Sequence, residues 1–150
     1  MSFELHPYET HGATSGSSYG SEAADALGLD AGSVCKTLVV SVDGRLTIAV
    51  VPVNGSLDLK ALAAAVGAKK ATMAEPGDAE RATGYVVGGI SPLGGRSHLP
   101  VVIDESVLGL DIVYVSAGRR GLQVSLAPSD LVTVTQARTA PLARRNGPNG

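Results

Sequence analysis

Two apolar, β-branched runs, TLVVSV (Thr37 to Val42) and RLTIAVVPV (Arg45 to Val53), flank Asp43-Gly44, and this arrangement limits the fold more than any other feature of the chain. Asp-Gly accepts the positive φ angles of a two-residue turn whose twist matches that of paired strands, so the spacing predicts a β-hairpin. From Asp58 the period changes. Leu59, Leu62, Ala63 and Val66 fall on one face, with Asp58 suited to the N-cap and Gly67 to the position after the last turn, which predicts an amphipathic helix. A shorter helix is expected from about Pro76 to Ala82, because proline suits the first helical position and Gly84 supplies a stop. Ser21 to Leu27 reads as another, capped by Ser21 and closed by Gly28.

The second half is strand-like: PVVID (Pro100 to Asp104), LDIVYVS (Leu110 to Ser116) and GLQVSL (Gly121 to Leu126) are separated by glycine-bearing turns. Val132 to Ala137 stays open between strand and helix, since its β-branched composition follows Pro128-Ser129-Asp130, a good helix start. From Ala140 the segment APLARRNGPNG is rich in Pro, Gly and Arg and is expected to be a disordered tail, which places the domain at 1–139 and the tail at 140–150.

One core is expected, because 150 residues with 44% hydrophobic and 17% charged side chains suit a single domain with ample apolar surface to bury. Aromatics are only 3%, so Val, Leu, Ile and Ala must build that core and no large cofactor-stacking box is expected. A net charge of -2 gives no overall attraction to a polyanion, so nucleic acid would have to meet a local patch such as Lys69-Lys70, Arg96 or Arg119-Arg120. Cys35, the single cysteine, excludes an internal disulfide and a cysteine-cluster metal site and fits a reducing cytosol. The start, MSFELHPYET, has neither the basic nor the apolar region of a signal peptide, and Leu46 to Val53 is far shorter than the ~20 residues of a membrane span. A cytoplasmic location away from membranes is the expectation.

The chemistry-bearing candidates begin with Gly84 to Ser97, GYVVGGISPLGGRS, which holds five glycines and one proline in fourteen residues. It matches neither a phosphate loop nor a nucleophile elbow, since Pro92 follows Ser91 directly and Leu93 stands where the elbow needs glycine. A triad of Ser91, His98 and Asp104 can be written down, but nothing in the spacing supports it. His6, His11 and His98 lack companion carboxylates at ligand spacing, so no metal is expected. What such a loop can do is bring bare backbone N–H groups close to a bound group, the logic of an oxyanion hole. The alternative is a strand connection that only needs positive φ angles, and position in the sequence leaves both open.

The segments SYGSEAADALG, CKTLVV, TGYVVGGISPLG and IVYVSAGRRGLQVSLAPSDL, in that order, resemble the YbaK family of aminoacyl-tRNA deacylases, relatives of the editing domain inserted in some bacterial prolyl-tRNA synthetases. The resemblance runs from about Tyr8 to Leu131. It implies an α/β (mixed α+β) fold, a compact single domain with a bent, mostly antiparallel, barrel-like sheet flanked by helices. The implied activity is trans-editing, the hydrolysis of tRNA for proline mischarged with cysteine. Such a second site is needed because a pocket sized for proline cannot strongly reject an amino acid of similar size.

Carried over by position, the resemblance implies Lys36 at the acyl-ester end of the substrate, holding the terminal adenosine phosphate or stabilising developing negative charge. Gly88, Gly89, Ile90, Ser91 and Pro92 correspond to the family's backbone loop at the aminoacyl carbonyl. Ser116 begins the family's SxGxRGL turn, Arg120 would place positive charge near the acceptor end, and Tyr8 and Tyr19 would frame the pocket. Gln123 stands where some members carry an aspartate, so no general-base role is assigned to it. The helix that usually precedes FELHPY is almost entirely missing from this sequence, and part of the sheet's cover is expected to be exposed there. No cofactor is implied; the partners are the acceptor end of mischarged tRNA and prolyl-tRNA synthetase. The substrate's own thiol would be the nucleophile. Two alternatives stay open: a deacylase for alanine or another small residue, and a non-catalytic module that binds tRNA or the synthetase.

Overall fold

The computed structural model describes residues 1–10, 19–95 and 98–145, with the side chains of 19–21 and 145 outside the description. The hairpin forms as expected: β2 (Cys35–Val42) pairs antiparallel with β3 (Arg45–Pro52), Val42 opposite Arg45 and Cys35 opposite Pro52. Asp43 and Gly44 take φ of 49° and 85°, the two positive angles that the turn requires. β5 (Ala71–Met73) joins β2 antiparallel, whereas β6 (Val101–Asp104) and β9 (Arg138–Ala140) extend the other side in parallel, giving the order β5-β2-β3-β6-β9. A second sheet, β1-β8-β7, is wholly antiparallel, built from β1 (Phe3–Pro7), β7 (Val113–Arg119) and β8 (Leu122–Leu126). The two meet where Val34, just before β2, bridges Tyr114 of β7 in parallel. That bridge links the two sheets, and no closed barrel forms among the described residues.

The main core fills the space between the two sheets, with Ile48, Val50, Val101 and Ile103 from one meeting Val113, Val115, Val124 and Leu126 from the other. β-branched side chains suit these pleated, doubly covered strands. On the outer face of the larger sheet, α2 (Leu59–Ala65) buries Leu62 against Val40, Val42, Ala49 and Val51. Asp58 caps it by accepting the N–H groups of Lys60 and Ala61 at 3.0 and 3.1 Å. α3 (Pro76–Thr83) ends at Gly84 with φ 80°, and α4 (Pro128–Thr135) resolves the ambiguous VTVTQA segment as mostly helix. There the proline start prevails over the β-branched composition. α1 (Tyr19–Leu27) begins two residues earlier than expected, so Ser21 lies inside the helix and is not its cap.

The expected tail needs correction. Residues after Ala140 continue into β10 (Ala143–Arg145), which pairs antiparallel with β4 (Gly55–Leu57), and Leu142 is fully buried. The domain therefore extends past the expected boundary at 139, and of the expected tail only 146–150 lie outside the described residues. The anchor is Asp104, 4% exposed at the end of β6, whose carboxylate accepts the N–H groups of Leu142 and Ala143 at 2.8 and 2.9 Å as well as the amide and hydroxyl of Ser106. Burial alone would raise its pKa, but these hydrogen bonds together hold it below the ordinary value. A depressed folded-state pKa contributes stability above the unfolded value near 3.9, and that contribution is lost as pH falls through the folded value. Asp104→Ala is expected to lose about 2–3 kcal/mol, read as a lower denaturant midpoint at pH 7, with a smaller difference from wild type at acid pH. An unchanged midpoint at pH 7 would show that the carboxylate does not hold the C-terminal strand.

Candidate active site

A cavity of about 260 Å³ opens beside the seam between the two sheets. Its floor is the first half of β2, Cys35 to Val39, together with Ser116 of β7 and Gln123 of β8, which face one another in register. Its walls are the first turn of α3 at Pro76 and Ala79 and the loop residues Val87, Gly88 and Ile90. The structure thus brings Lys36, Gly88, Ile90 and Ser116 together around one space.

Lys36 is half-buried, and burial pushes its pKa below the ordinary lysine value, because its charged form loses hydration. Lys36 is also the charged residue of the lining, which contains no Asp, Glu or His. The backbone amides of Gly88 and Ile90 donate to no protein acceptor among the described residues. Backbone N–H groups without a protein acceptor and a cation, on residues that line one small space, are the groups suited to bind a carbonyl oxygen or a phosphate and stabilise charge developing there.

The loop is held in place from several sides. Val87 donates its N–H to the Glu80 carboxylate at 2.8 Å, and its carbonyl accepts from Nε and Nη2 of Arg120 at 3.0 and 2.6 Å. Gly89 closes a turn onto Val86 at 2.9 Å, and the Tyr85 hydroxyl donates to the Leu93 carbonyl at 2.7 Å. Arg120, which the resemblance expected near the acceptor end, clamps the loop. Glu80 escaped the sequence reading, although a carboxylate in the last turn of a helix opposes the helix dipole and so signals a specific partner.

Other expected residues lie away from the cavity. Gly89 is buried and packs its α-carbon against the β7–β8 turn, so a methyl there would meet backbone atoms of Arg119 and Arg120 at 2.8–2.9 Å and not the space assigned to a carbonyl. Ser91 is 1% exposed, accepts the N–H of Leu93 at 3.1 Å, and with Leu93 borders a different hollow beside Phe3 and Leu5 of β1. Those two side chains are exposed. Pro92 borders another hollow, with Ile48 and His98. Tyr8 packs with Ala23, Ala24 and Val34 under α1. Tyr19 opens α1 and its side chain lies outside the described residues, as do His11 and Arg96. The paper triad does not assemble, because Asp104 is committed to Ser106, Leu142 and Ala143.

Cys35 lines the cavity, but burial, aided by the charge of Asp104, pushes its thiol up to about 12, which leaves it protonated and a poor nucleophile. No cluster of three metal-ligating side chains occurs among the described residues, and no helix there is long and apolar enough to cross a membrane.

Lys36→Ala is expected to lower deacylation at least tenfold without lowering the melting temperature, since it removes a charge that burial disfavours. With the folded pKa below the unfolded one, the unfolded chain binds more protons between the two values, so wild-type stability rises with pH across that window. The alanine variant should lack that rise, and a variant with normal turnover would remove Lys36 from the site.

An aminoacyl-tRNA editing domain family model matches residues 15–134. EbsC of Enterococcus faecalis, named as a Cys-tRNA(Pro)/Cys-tRNA(Cys) deacylase, is 39% identical over 123 residues, 81% of this chain and 75% of that protein. ProXp-y of Escherichia coli, named as a multifunctional Ser/Thr-tRNA deacylase, is 28% identical over 118 residues, 75% of this chain and 71% of that protein. A crystal structure named as that of a trans-editing enzyme for prolyl-tRNA synthetase superposes with a TM-score of 0.82 at 27% identity, covering 97% of this chain and 87% of the other. With Lys36, Gly88 and Ile90 around a small cavity, in a fold shared along nearly its whole length, the chain belongs to the YbaK-type aminoacyl-tRNA editing domain family and is a hydrolase of the aminoacyl-tRNA ester.

Proposed function

We propose that the protein hydrolyses Cys-tRNA(Pro) in trans, in the cytoplasm, and that the substrate's own thiol attacks the ester. One observation carries the proposal: the cavity offers charge stabilisation without an activated nucleophile. Cys35 is held protonated, and Thr37 and Ser116 have no His, Asp or Glu in the lining to take their protons. The attacking group then comes from the substrate. Its sulfur bonds to the ester carbonyl carbon, the bond to the ribose oxygen breaks, and that oxygen takes the thiol's proton. Cysteine leaves as a thiolactone, which water opens. Lys36 and the amides of Gly88 and Ile90 stabilise the negative charge on the carbonyl oxygen, and the fixed loop supplies orientation. The name of EbsC supports cysteine as the substrate, and the structural likeness to a trans-editing enzyme supports the acceptor end of tRNA for proline and prolyl-tRNA synthetase as partners.

The likeness to ProXp-y favours a second reading, in which seryl or threonyl esters are hydrolysed by a held water. Incubating the purified protein with cysteinyl-, seryl-, threonyl- and alanyl-tRNA(Pro) tests both. Release of cysteine well ahead of the others supports the first reading; binding with no release of any amino acid would make the protein a tRNA-binding module.

A further inference from the structure

Gln123 is 4% exposed, lines the cavity, and its side-chain oxygen Oε1 has no hydrogen-bond partner among the described residues. Thr37, also in the lining, has a buried hydroxyl with no partner. Buried polar atoms are almost always satisfied, so two orphans on residues that line one cavity point to a ligand that supplies the missing donors. Gln123 sits on the middle strand of the smaller sheet, opposite His6 on one side and Ser116 on the other, which gives its side chain a rigid mounting.

We propose that Gln123 is a specificity-determining residue that holds the α-amino group of the aminoacyl ester through Oε1, with the Thr37 hydroxyl as second acceptor. This rests on the proposed hydrolysis of an aminoacyl ester. The ester carbonyl and the phosphates of such a substrate only accept hydrogen bonds, so they match Lys36 and the loop amides and cannot satisfy an amide oxygen. Its strongest donor is the α-ammonium, with three N–H groups, and a charged donor makes the stronger bond. A thiol is a weak donor by comparison. The neutral oxygen also takes a cation without forming an ion pair with Lys36. Gripping the atom next to the carbonyl carbon fixes the direction from which that carbon is attacked.

The test compares cysteinyl-tRNA(Pro) with 3-mercaptopropionyl-tRNA(Pro), which lacks only the amino group, each rate divided by the ester's own hydrolysis without protein. Wild type is expected to lose roughly 10- to 100-fold in kcat/KM on the des-amino ester, the range of a charge-assisted hydrogen bond. Gln123→Met should hydrolyse the two esters at equal, low rates, and Gln123→Glu, which can only accept, should restore the preference. Gln123→Met should melt no lower than wild type, because an apolar group replaces an unsatisfied one. If that variant fails to fold, Thr37→Val should narrow the preference in the same sense. Equal rates on both esters for wild type, or an undiminished preference in Gln123→Met, would overturn the assignment, and selective loss of rate on a 2′-deoxy acceptor end would pass the orphan oxygen to the ribose. Binding of 3′-cysteinylamido-adenosine and its des-amino counterpart gives the same comparison without turnover. A protein that binds the first more tightly but cleaves no ester would disprove the proposed hydrolysis and keep Gln123 in its role.

Discussion

Gly89→Ala is expected to lower kcat/KM about 100-fold and to destabilise the fold by about 1–3 kcal/mol. The added methyl would stand 2.8 Å from the α-carbon of Arg119 and 2.9 Å from the Arg119 carbonyl carbon and the Arg120 nitrogen. All three are backbone atoms of the β7–β8 turn, so no side chain can swing aside and the loop itself must move. Gly88 and Ile90, on either side, line the cavity and would move with it. A displacement on the order of 1 Å is enough to misalign donors with the carbonyl that we propose they stabilise. Enlarging the neighbouring wall gives the control: Ala79→Val narrows the cavity without touching the turn, and should change binding of the ester more than its rate. A Gly89→Ala protein with wild-type kinetics and melting would mean that the loop's close packing is irrelevant to the site.

The second large effect lies in the substrate. Seryl-tRNA(Pro) differs from the cysteinyl form by oxygen for sulfur, nearly the same size, yet at neutral pH its hydroxyl is a far poorer nucleophile. Binding should survive and turnover should not, the pattern of an interaction present only in the transition state. We expect seryl hydrolysis to be slower by about 100-fold or more, with similar Kd for non-hydrolysable analogues of the two. Equal rates would rule out thiol participation and point to a water held by Lys36 and the loop amides.

What the sequence disclosed divides along the range of the forces involved. The β2–β3 hairpin, α2 and α3 depend on neighbours within a few residues, and Asp43-Gly44, Asp58 and Pro76 announced them. β4, β5, β9 and β10 have three residues each, too few to show a period, and form only because a longer strand or the Asp104 carboxylate waits for them. Leu142 shows the difficulty: a single leucine among Pro, Gly and Arg reads as tail until the fold provides a hole for it. Within the site, Lys36, Gly88, Ile90 and Ser116 were reached through the family's motifs, and the structure gathers them. Composition did not show that Gln123 would be buried or that Glu80 would reach the loop, since both follow from packing across the chain. The glycine at 89 stood out for a physical reason that proved different from the expected one: space is short on the side of the protein's own turn.

The pairing of β1 with β8 also governs how the molecule comes into being. Phe3 sits opposite Leu126, and His6 lies within 2.8 Å of a serine 119 residues further along. During synthesis β1 therefore waits without its strand partner until nearly the whole domain has been made. Contacts of such long sequence separation close slowly, in the millisecond-to-second range typical of non-local β pairing. Because Gln123 takes its place beside β1 only with that late pairing, the candidate pocket it lines is among the last parts to be completed, and a chain stalled before β8 would present a sticky strand edge and no such pocket.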